Sequence, residues 1–466
     1  MIFGLESWLA GTLFLCLLAA IVFEFINGFH DTANAVATVI YTNTLKPWTA
    51  VVWSGLWNIA GVLAGGIGVA MGIVYLLPVE LLVDQQVNHA VAMIIALLGS
   101  SIAWNFSTWY LGIPCSSSHT LVAAILGVGV AHSILPGASG TAVNWDKAIE
   151  VGSSLLISPF FGFAFTILLM FILRWFTKGK KLFEEPKKKE VPPLWIRAIL
   201  VFTCTSVSFF HGSNDGQKGV GVIMLILIGL VPLQFALNPQ MKLPDVKSAS
   251  THLATELSEI AAQSSASSPR AAEAALLSSR FTLLARQLDD IPNNVANSKF
   301  EVRKVIITER RNLDRFEKNH KFDLTTAQKK NLSFHKKTIV SATDYVPFWV
   351  LIMVSLSLGT GTMVGWKRIV VTIGEKIGKQ HLTYAQGASA EIVAASTIGM
   401  STFLGLPVST TQVLSSGIAG SMVASKGLKN LQMGTVKNMA IAWLLTFPVV
   451  FMLAGTLFYL LREFWA

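Results

Sequence analysis

Two short motifs each occur twice along this chain, in the same order. Residues 26–37 read INGFHDTANAVA and residues 210–221 read FHGSNDGQKGVG. Residues 112–120 read GIPCSSSHT and residues 405–413 read GLPVSTTQV. The two motifs lie farther apart in the second copy, by about the length of the polar segment 237–344. The pattern therefore predicts two copies of one structural design, with a domain inserted into the second copy.

The composition indicates that both copies lie in a membrane. Hydrophobic residues make up 52% of the chain and charged residues only 13%, whereas soluble domains average about 25% charged residues. A soluble globular protein is therefore excluded. An extracellular disulfide scaffold is also excluded, because Cys16, Cys115 and Cys204 all lie in apolar stretches. The net charge of +10 does not indicate nucleic-acid binding, because basic residues cluster beside apolar segments, at 177–191 and 366–381.

The apolar windows predict the fold class. Windows long enough to cross about 30 Å of hydrocarbon lie at 8–26, 48–76, 88–110, 150–175, 195–211, 345–366, 385–403 and 437–462. Shorter pieces, which we expect to form half-helices or re-entrant segments, lie at 32–43, 117–133, 218–236 and 410–425. We predict an all-α polytopic membrane protein of about 10–12 membrane segments. Two inverted repeats with interrupted helices are typical of secondary transporters.

The predicted organisation has five parts. They are a first membrane repeat (1–176), a basic cytoplasmic linker (177–194), the start of the second repeat (195–236), a polar soluble insertion (237–344) and the remainder of the second repeat (345–466). The insertion has nearly balanced charge, and its apolar spacing predicts helices without catalytic residues. That spacing is carried by Leu276, Leu277, Phe281, Leu284 and Leu288.

Asp31 and Asp215 occupy equivalent positions of the two copies. An ionised carboxylate in a membrane span is costly, so the pair points to one shared site. Hydroxyl and amide side chains accompany them and would suit a hard cation such as Na⁺ or a protonated carboxyl; these are Asn27, Thr32, Asn34, Asn214 and Gln217. The alternative is a purely structural carboxylate, neutralised by a partner such as Lys218.

Two hydroxyl clusters form the second pair of motifs. Each follows a proline and begins a short apolar helix, where unpaired backbone N–H groups and the helix dipole favour an anion. The candidate anion-binding residues are Ser116, Ser117, Ser118, Thr120, Ser409, Thr410 and Thr411. Ordinary N-capping, which needs one hydroxyl, is the alternative. An oxyanion beside two carboxylates is repelled unless they carry protons or cations, so the pattern predicts symport.

The motifs resemble the inorganic phosphate transporter (PiT) family, in particular its bacterial low-affinity branch. The resemblance rests on FINGFHDTANAVATVIYT, SFFHGSNDGQKGVG, YLGIPCSSSHTL and FLGLPVSTTQVLSSGIAG, and it covers the chain outside the insertion. It implies inorganic phosphate as substrate, often as a neutral divalent metal–phosphate complex, with H⁺ or Na⁺ as coupling ion. It also implies that Asp31, Asn34 and Asp215 match cation-coordinating positions and that the hydroxyl clusters match phosphate-binding positions.

Histidines bear on the coupling ion. His30 stands where sodium-coupled members of that family usually have Asn, as this chain does at Asn214. Histidine titrates near neutral pH, which favours protons, although His30 could serve only as a hydrogen-bonding residue. Gln412 replaces a histidine that similar bacterial members usually carry, and His211 could compensate for it.

Two further acidic residues, Glu24 and Glu391, lie in apolar runs. Glu24 lies one helical turn before the first motif and could line the same cavity. Glu391 could line the site or lie near the lipid headgroups.

The sequence thus predicts a low-affinity phosphate transporter of the cell (inner) membrane, working with H⁺ by alternating access. Na⁺-coupled phosphate symport and sulfate permeation on the same scaffold are the alternatives. A passive channel has little use for paired buried carboxylates. An enzyme is not expected, because no nucleophile elbow or zinc-binding motif is present. We expect no cofactor and no nucleic-acid partner, and the sequence leaves a homodimer open.

Overall fold

The structure is a computed structural model that describes residues 5–31, 33–77, 87–135, 143–177, 180–186, 190–265, 268–290, 297–321 and 323–465. Within these ranges the chain is helical between short turns, with one isolated antiparallel bridge between Gly378 and Leu431 and no β-strand. The all-α prediction is confirmed.

Among the described residues, eight helices lie between Ser7 and Leu230. They are α1 (Ser7–Asp31), α2 (Ala33–Tyr41), α3 (Pro47–Ala64), α4 (Gly68–Val74), α5 (Val87–Tyr110), α6 (Ser117–Ser133), α7 (Trp145–Phe176) and α8 (Leu194–Leu230). A short 3₁₀ turn at Lys180–Phe183 lies between α7 and α8.

Ten helices follow. They are α9 (Pro232–Phe235), α10 (Leu243–Gln263), α11 (Pro269–Asp290), α12 (Asn297–Asn319), α13 (Thr326–Val340), α14 (Phe348–Met363), α15 (Lys367–Glu375), α16 (Tyr384–Phe403), α17 (Thr410–Lys426) and α18 (Met433–Trp465).

The described residues fall into two compact units. Residues 5–6 and those within Leu227–Tyr345 form one, and those within Ser7–Leu81, Gln86–Ile226 and Val346–Ala466 form the other. The second unit holds the apolar helices and both copies of each motif, and it is a multi-pass membrane unit.

Five stretches of the described chain are long and apolar enough to cross a membrane. They are Ser7–Tyr41, Asn88–Tyr110, Trp145–Phe176, Leu194–Leu230 and Met433–Phe464. The described residues give up to seven such spans if the bent pairs α3–α4 (74°) and α14–α15 (63°) each count as one. Helices α6, α16 and α17 are shorter apolar segments of the same unit. The number of segments that cross the bilayer and the inverted relation of the repeats stay predictions.

One predicted interruption is wrong. The apolar windows 195–211 and 218–236 suggested a break near the second acidic motif, but α8 runs through Asp215 without one. The polar residues of this motif find partners around the helix, as described below, so the backbone does not need to unwind to accommodate them.

Glycines of the repeated acidic motif allow helices to approach closely. A Cβ atom at Gly212 in α8 would lie 2.8 Å from Cα of Asn58 in α3, and one at Gly28 in α1 would lie 2.9 Å from the backbone nitrogen of Thr362 in α14. Real Cβ atoms do not come that near to backbone atoms. Small residues at these crossings let membrane helices pack at short distance, which explains why both copies have glycine there.

The insertion unit is built from α10–α13 around its own apolar core. Leu277, Phe281, Leu284 and Leu288 of α11 are buried in it, whereas Leu276 is exposed. The predicted helix is confirmed, and these four residues form its buried face.

Candidate functional site

Serines cap the two short helices of the hydroxyl motifs. Ser116 precedes α6, and its Oγ accepts a hydrogen bond from the backbone N–H of His119 at 3.2 Å. Ser409 precedes α17, and its Oγ accepts from the backbone N–H of Gln412 at 3.3 Å. The predicted placement at helix N-termini is confirmed. The capping serine occupies one hydroxyl of each cluster, and the other two remain for different partners.

Gly112 and Gly405 set the direction of these helices. Both have a left-handed backbone, with φ of 66° and 68°, which glycine adopts without the steric cost that Cβ imposes. Each lies in the turn that follows a long helix, α5 or α16, and the proline two residues later starts an extended link. The same turn chemistry therefore presents both clusters.

Asp31 joins the two hydroxyl clusters. Its Oδ2 accepts a hydrogen bond from Ser117 Oγ at 2.9 Å, and its Oδ1 accepts from Thr411 Oγ1. Asn34 Nδ2 donates to the same Thr411 hydroxyl at 3.0 Å and to that of Thr410 at 3.4 Å. All of these residues are buried. One carboxylate thus binds a hydroxyl from each motif copy.

Asp215 is paired with a cation of the chain itself. Lys218 Nζ, one helical turn farther along α8, lies 2.7 Å from Asp215 Oδ1, and Thr410 Oγ1 donates to Oδ2 at 3.3 Å. Lys218 is the neutralising partner predicted for a purely structural carboxylate; that pair is present, and Asp215 also contacts the shared hydroxyl cluster. A buried carboxylate is costly unless it is paired and hydrogen-bonded, and Lys218 meets that need.

His211 lies between the two carboxylates. Its Nε2 is 3.9 Å from Asp31 Oδ2 and 3.6 Å from Asp215 Oδ2. Its Nδ1 is 2.8 Å from Asn58 Oδ1, which fixes the ring. One ligand atom from each of Asp31, His211 and Asp215 lies within 4.8 Å of the others. Two carboxylate oxygens and one imidazole nitrogen form a donor set that suits a divalent cation.

His30 contacts the site from the end of α1. Its Nδ1 lies 3.4 Å from Asp31 Oδ1, and its Nε2 lies 3.3 Å from Thr108 Oγ1. The predicted proximity of His30 to the first carboxylate is therefore present in the structure. A proton on this ring would add positive charge directly beside Asp31.

Two predicted cation ligands have other partners. Asn214 Nδ2 donates to the carbonyl of Leu406 at 3.1 Å, and its Oδ1 accepts from the N–H of Val408 at 3.2 Å. Gln217 Oε1 accepts from the N–H of Val69 at 2.8 Å. Asn214 thereby holds the loop before α17, and Gln217 satisfies the N-terminus of α4. Both residues position backbone rather than face the carboxylates.

Other candidates also take local partners. Thr120 Oγ1 donates to the carbonyl of Ser116 at 3.0 Å, and Ser118 Oγ donates to the carbonyl of Val408 at 2.7 Å. Asn27 Nδ2 donates to Glu24 Oε2 at 3.5 Å. These contacts place Thr120 inside its own helix and Ser118 at the junction with the second motif copy.

The two acidic residues outside the motifs are both fully buried. Glu24 lies beside Gly219, next to Lys218 in the chain, so it approaches the central cluster. Glu391 accepts hydrogen bonds from Thr38 and Thr203. The carboxyl of Glu391 is therefore not solvated, and it connects α2, α8 and α16.

Lys218 is the site residue that sequence reasoning undervalued. Aligning the two motif copies places it opposite Asn34, three residues after the aspartate in each copy. That alignment was the available signal, because a cation at an amide position changes the charge of the site.

An all-helical membrane unit whose two motif copies meet at one buried polar cluster is typical of membrane transporters. Residues 27–454 match the phosphate transporter family, and the chain belongs to that family.

Relatives extend over the whole chain. The low-affinity inorganic phosphate transporter of Buchnera aphidicola subsp. Acyrthosiphon pisum is 38% identical over 96% of both chains. The low-affinity inorganic phosphate transporter PitA of Escherichia coli K12 is 37% identical over 99% of both. A solved structure titled the sodium-dependent phosphate transporter has a TM-score of 0.55 and 19% identity, covering 97% of this chain and 99% of that one. At that identity the likeness shows the fold alone.

Proposed function

We propose that this protein is a low-affinity transporter that carries inorganic phosphate across the cell membrane together with H⁺, by alternating access. The observation that carries the proposal is the double attachment of Asp31 to Ser117 and Thr411, one hydroxyl from each motif copy. Family membership supports phosphate as the substrate. A homodimer stays a prediction.

The coupling follows from competition for hydroxyl protons. Ser117 and Thr411 each have one O–H group, and both donate to Asp31 in this structure. A phosphate bound at the helix N-termini needs the same two donors. When the hydroxyls turn to phosphate, Asp31 loses its hydrogen bonds while a second anion arrives beside it. A proton or cation on the carboxylate pair offsets both the lost hydrogen bonds and the repulsion between the two anions. Phosphate and the coupling ion therefore favour each other's binding.

Phosphate fits this site better than sulfate. Phosphate keeps a proton at neutral pH and can donate it to a nearby carboxylate, whereas sulfate is fully deprotonated. Asp31 and Asp215 both contact hydroxyls of the proposed anion-binding clusters, so such an acceptor is at hand. The sulfate alternative lacks this interaction.

Protons are the proposed coupling ion because imidazoles flank the carboxylates. His30 lies beside Asp31, and His211 lies between Asp31 and Asp215. Histidine is a common proton carrier in proteins. Na⁺ is the alternative, and the sodium-dependent name of the similar solved structure is the reason to test it.

A metal–phosphate complex is the second candidate for the transported species. The cluster of Asp31, His211 and Asp215 supports it, because its three ligand atoms are close enough to share one ion. In that case the divalent cation is cargo that neutralises phosphate during transport.

Uptake of radiolabelled phosphate into proteoliposomes tests these proposals. An inward proton gradient should stimulate uptake without Na⁺, and excess sulfate should not compete. Uptake that appears only with Na⁺ would identify Na⁺, and not H⁺, as the coupling ion. Uptake that requires Mg²⁺ would favour the metal–phosphate complex as the transported species. Sulfate uptake without phosphate uptake would overturn the proposal that phosphate is the substrate.

A further inference from the structure

Lys218 and Asn34 occupy equivalent positions of the two motif copies. Each lies three residues after its aspartate, Asp215 or Asp31. Each also reaches the hydroxyl cluster of the other copy, since Asn34 donates to Thr411 and Lys218 donates to Ser118. The two motif copies therefore make corresponding contacts, but the second copy has the ammonium of Lys218 where the first has the amide of Asn34.

Oxygen atoms surround this ammonium. Lys218 Nζ donates to Asp215 Oδ1 at 2.7 Å, to the carbonyl of Val408 at 3.0 Å and to Ser118 Oγ. An ammonium has three N–H donors, and these contacts use all of them. A carboxylate, a carbonyl and a hydroxyl are also the oxygen ligands that hard metal cations take in proteins. Lys218 is 1% exposed, so this charge is held inside the membrane unit.

We propose that the Lys218 ammonium is a tethered cation that fills the second copy's cation position, so that only the Asp31 position binds a mobile coupling ion. The inference rests on the proposed phosphate transport and narrows where its coupling ion binds. Lys218 is a specificity-determining residue in this account, because it travels with the protein and cannot be released with the substrate.

The charges of the two aspartates and Lys218 determine how many mobile ions the site needs. Asp215 and Lys218 neutralise each other, whereas the ion-pair partners of Asp31 among the described residues are histidines and not lysine or arginine, so its charge must be balanced when phosphate arrives. One mobile cation or proton at Asp31 is then enough for the carboxylate pair. An asparagine at position 218 would leave both copies with the same Asp and Asn arrangement, and both would need a mobile ion.

The test compares the number of coupling ions carried per phosphate in wild type and in Lys218→Asn, measured from the gradients at which net phosphate flux stops. Lys218→Asn should carry one more mobile cation, H⁺ or Na⁺, per phosphate than wild type. Its uptake without Na⁺ should fall at least about tenfold, because removing one partner of a buried ion pair leaves an uncompensated charge. Lys218→Met, whose apolar chain fills the same space, should lose uptake without recovery by Na⁺.

The double variant Asp215→Asn/Lys218→Asn guards against misfolding, because removing both charges leaves neither unpaired. Whatever its rate, it should carry the wild-type number of ions per phosphate. An unchanged ion number in Lys218→Asn, or a changed one in the double variant, would overturn the tethered-cation inference. Absence of phosphate uptake by the wild type would instead overturn the proposed function.

Discussion

Removing the charge of Asp31 should uncouple phosphate binding from the coupling ion. Ser117 Oγ lies 2.9 Å from Asp31 Oδ2, so a phosphate oxygen bound by the same hydroxyl would lie about 5 Å from the carboxylate. At that separation two unit charges repel by about 3 kcal/mol with an effective dielectric constant of about 20. A proton or cation on Asp31 cancels this repulsion, which corresponds to a change in phosphate affinity of about 10²-fold.

Asp31→Asn keeps the shape of the side chain and removes its charge permanently. We therefore expect phosphate affinity in this variant to vary less than about threefold with the coupling ion, against about 10²-fold in wild type. The assay is binding of radiolabelled phosphate to purified protein over a series of pH values and NaCl concentrations, corrected for the ionisation of phosphate itself.

Asp289→Asn is the matched control, because that residue forms an exposed ion pair with Lys247 in the insertion. It should retain the full dependence on the coupling ion. An Asp31→Asn protein that is correctly folded and still shows the wild-type dependence would refute the electrostatic reasoning.

Three further tests, two of them with a control substitution, address the hydroxyl cluster, a helix contact and the insertion. In the proteoliposome uptake assay, Ser117→Ala should raise the half-saturating phosphate concentration about tenfold, because it removes a charge-assisted hydrogen-bond donor. Thr120→Val loses only a hydrogen bond within its own helix, so its half-saturating concentration should stay within about twofold of wild type. Gly212→Ala should lower the melting temperature in detergent, because the added Cβ would clash with the backbone of Asn58. Gly11→Ala has open space around it and should not lower the melting temperature. Equal melting temperatures for the two variants would contradict the helix-contact argument. Arg303→Met should make the insertion easier to cleave in limited proteolysis, since the buried guanidinium donates to two backbone carbonyls, and an unchanged cleavage rate would contradict that role.

Much of the fold follows from periodicity and spacing. The apolar windows predicted most of the long helices because a membrane span needs an uninterrupted apolar run, and Gly405 with its neighbouring proline marked the turn before α17. The break within α8 was wrong because polar residues in an apolar run look like an interruption when their partners are unknown. Asp215 stays in a continuous helix because Lys218 pairs with it on the same face.

The site was harder to predict in detail. Motif duplication was enough to predict that Asp31 and both hydroxyl clusters lie together. It could not distinguish Asn34, which faces the clusters, from Asn214 and Gln217, which hold backbone. Amides are equally suited to either task, and the choice depends on which backbone groups tertiary packing leaves unpaired beside them.

The most direct test of the account is the number of protons that enter the protein when phosphate binds. Calorimetric titration of purified protein with phosphate, in buffers with different heats of ionisation, gives this number after correction for phosphate itself. The account predicts net proton uptake in wild type and none in Asp31→Asn. Phosphate binding by wild type with no proton uptake and no dependence on Na⁺ would contradict the claim that a coupling ion replaces the hydroxyls on Asp31.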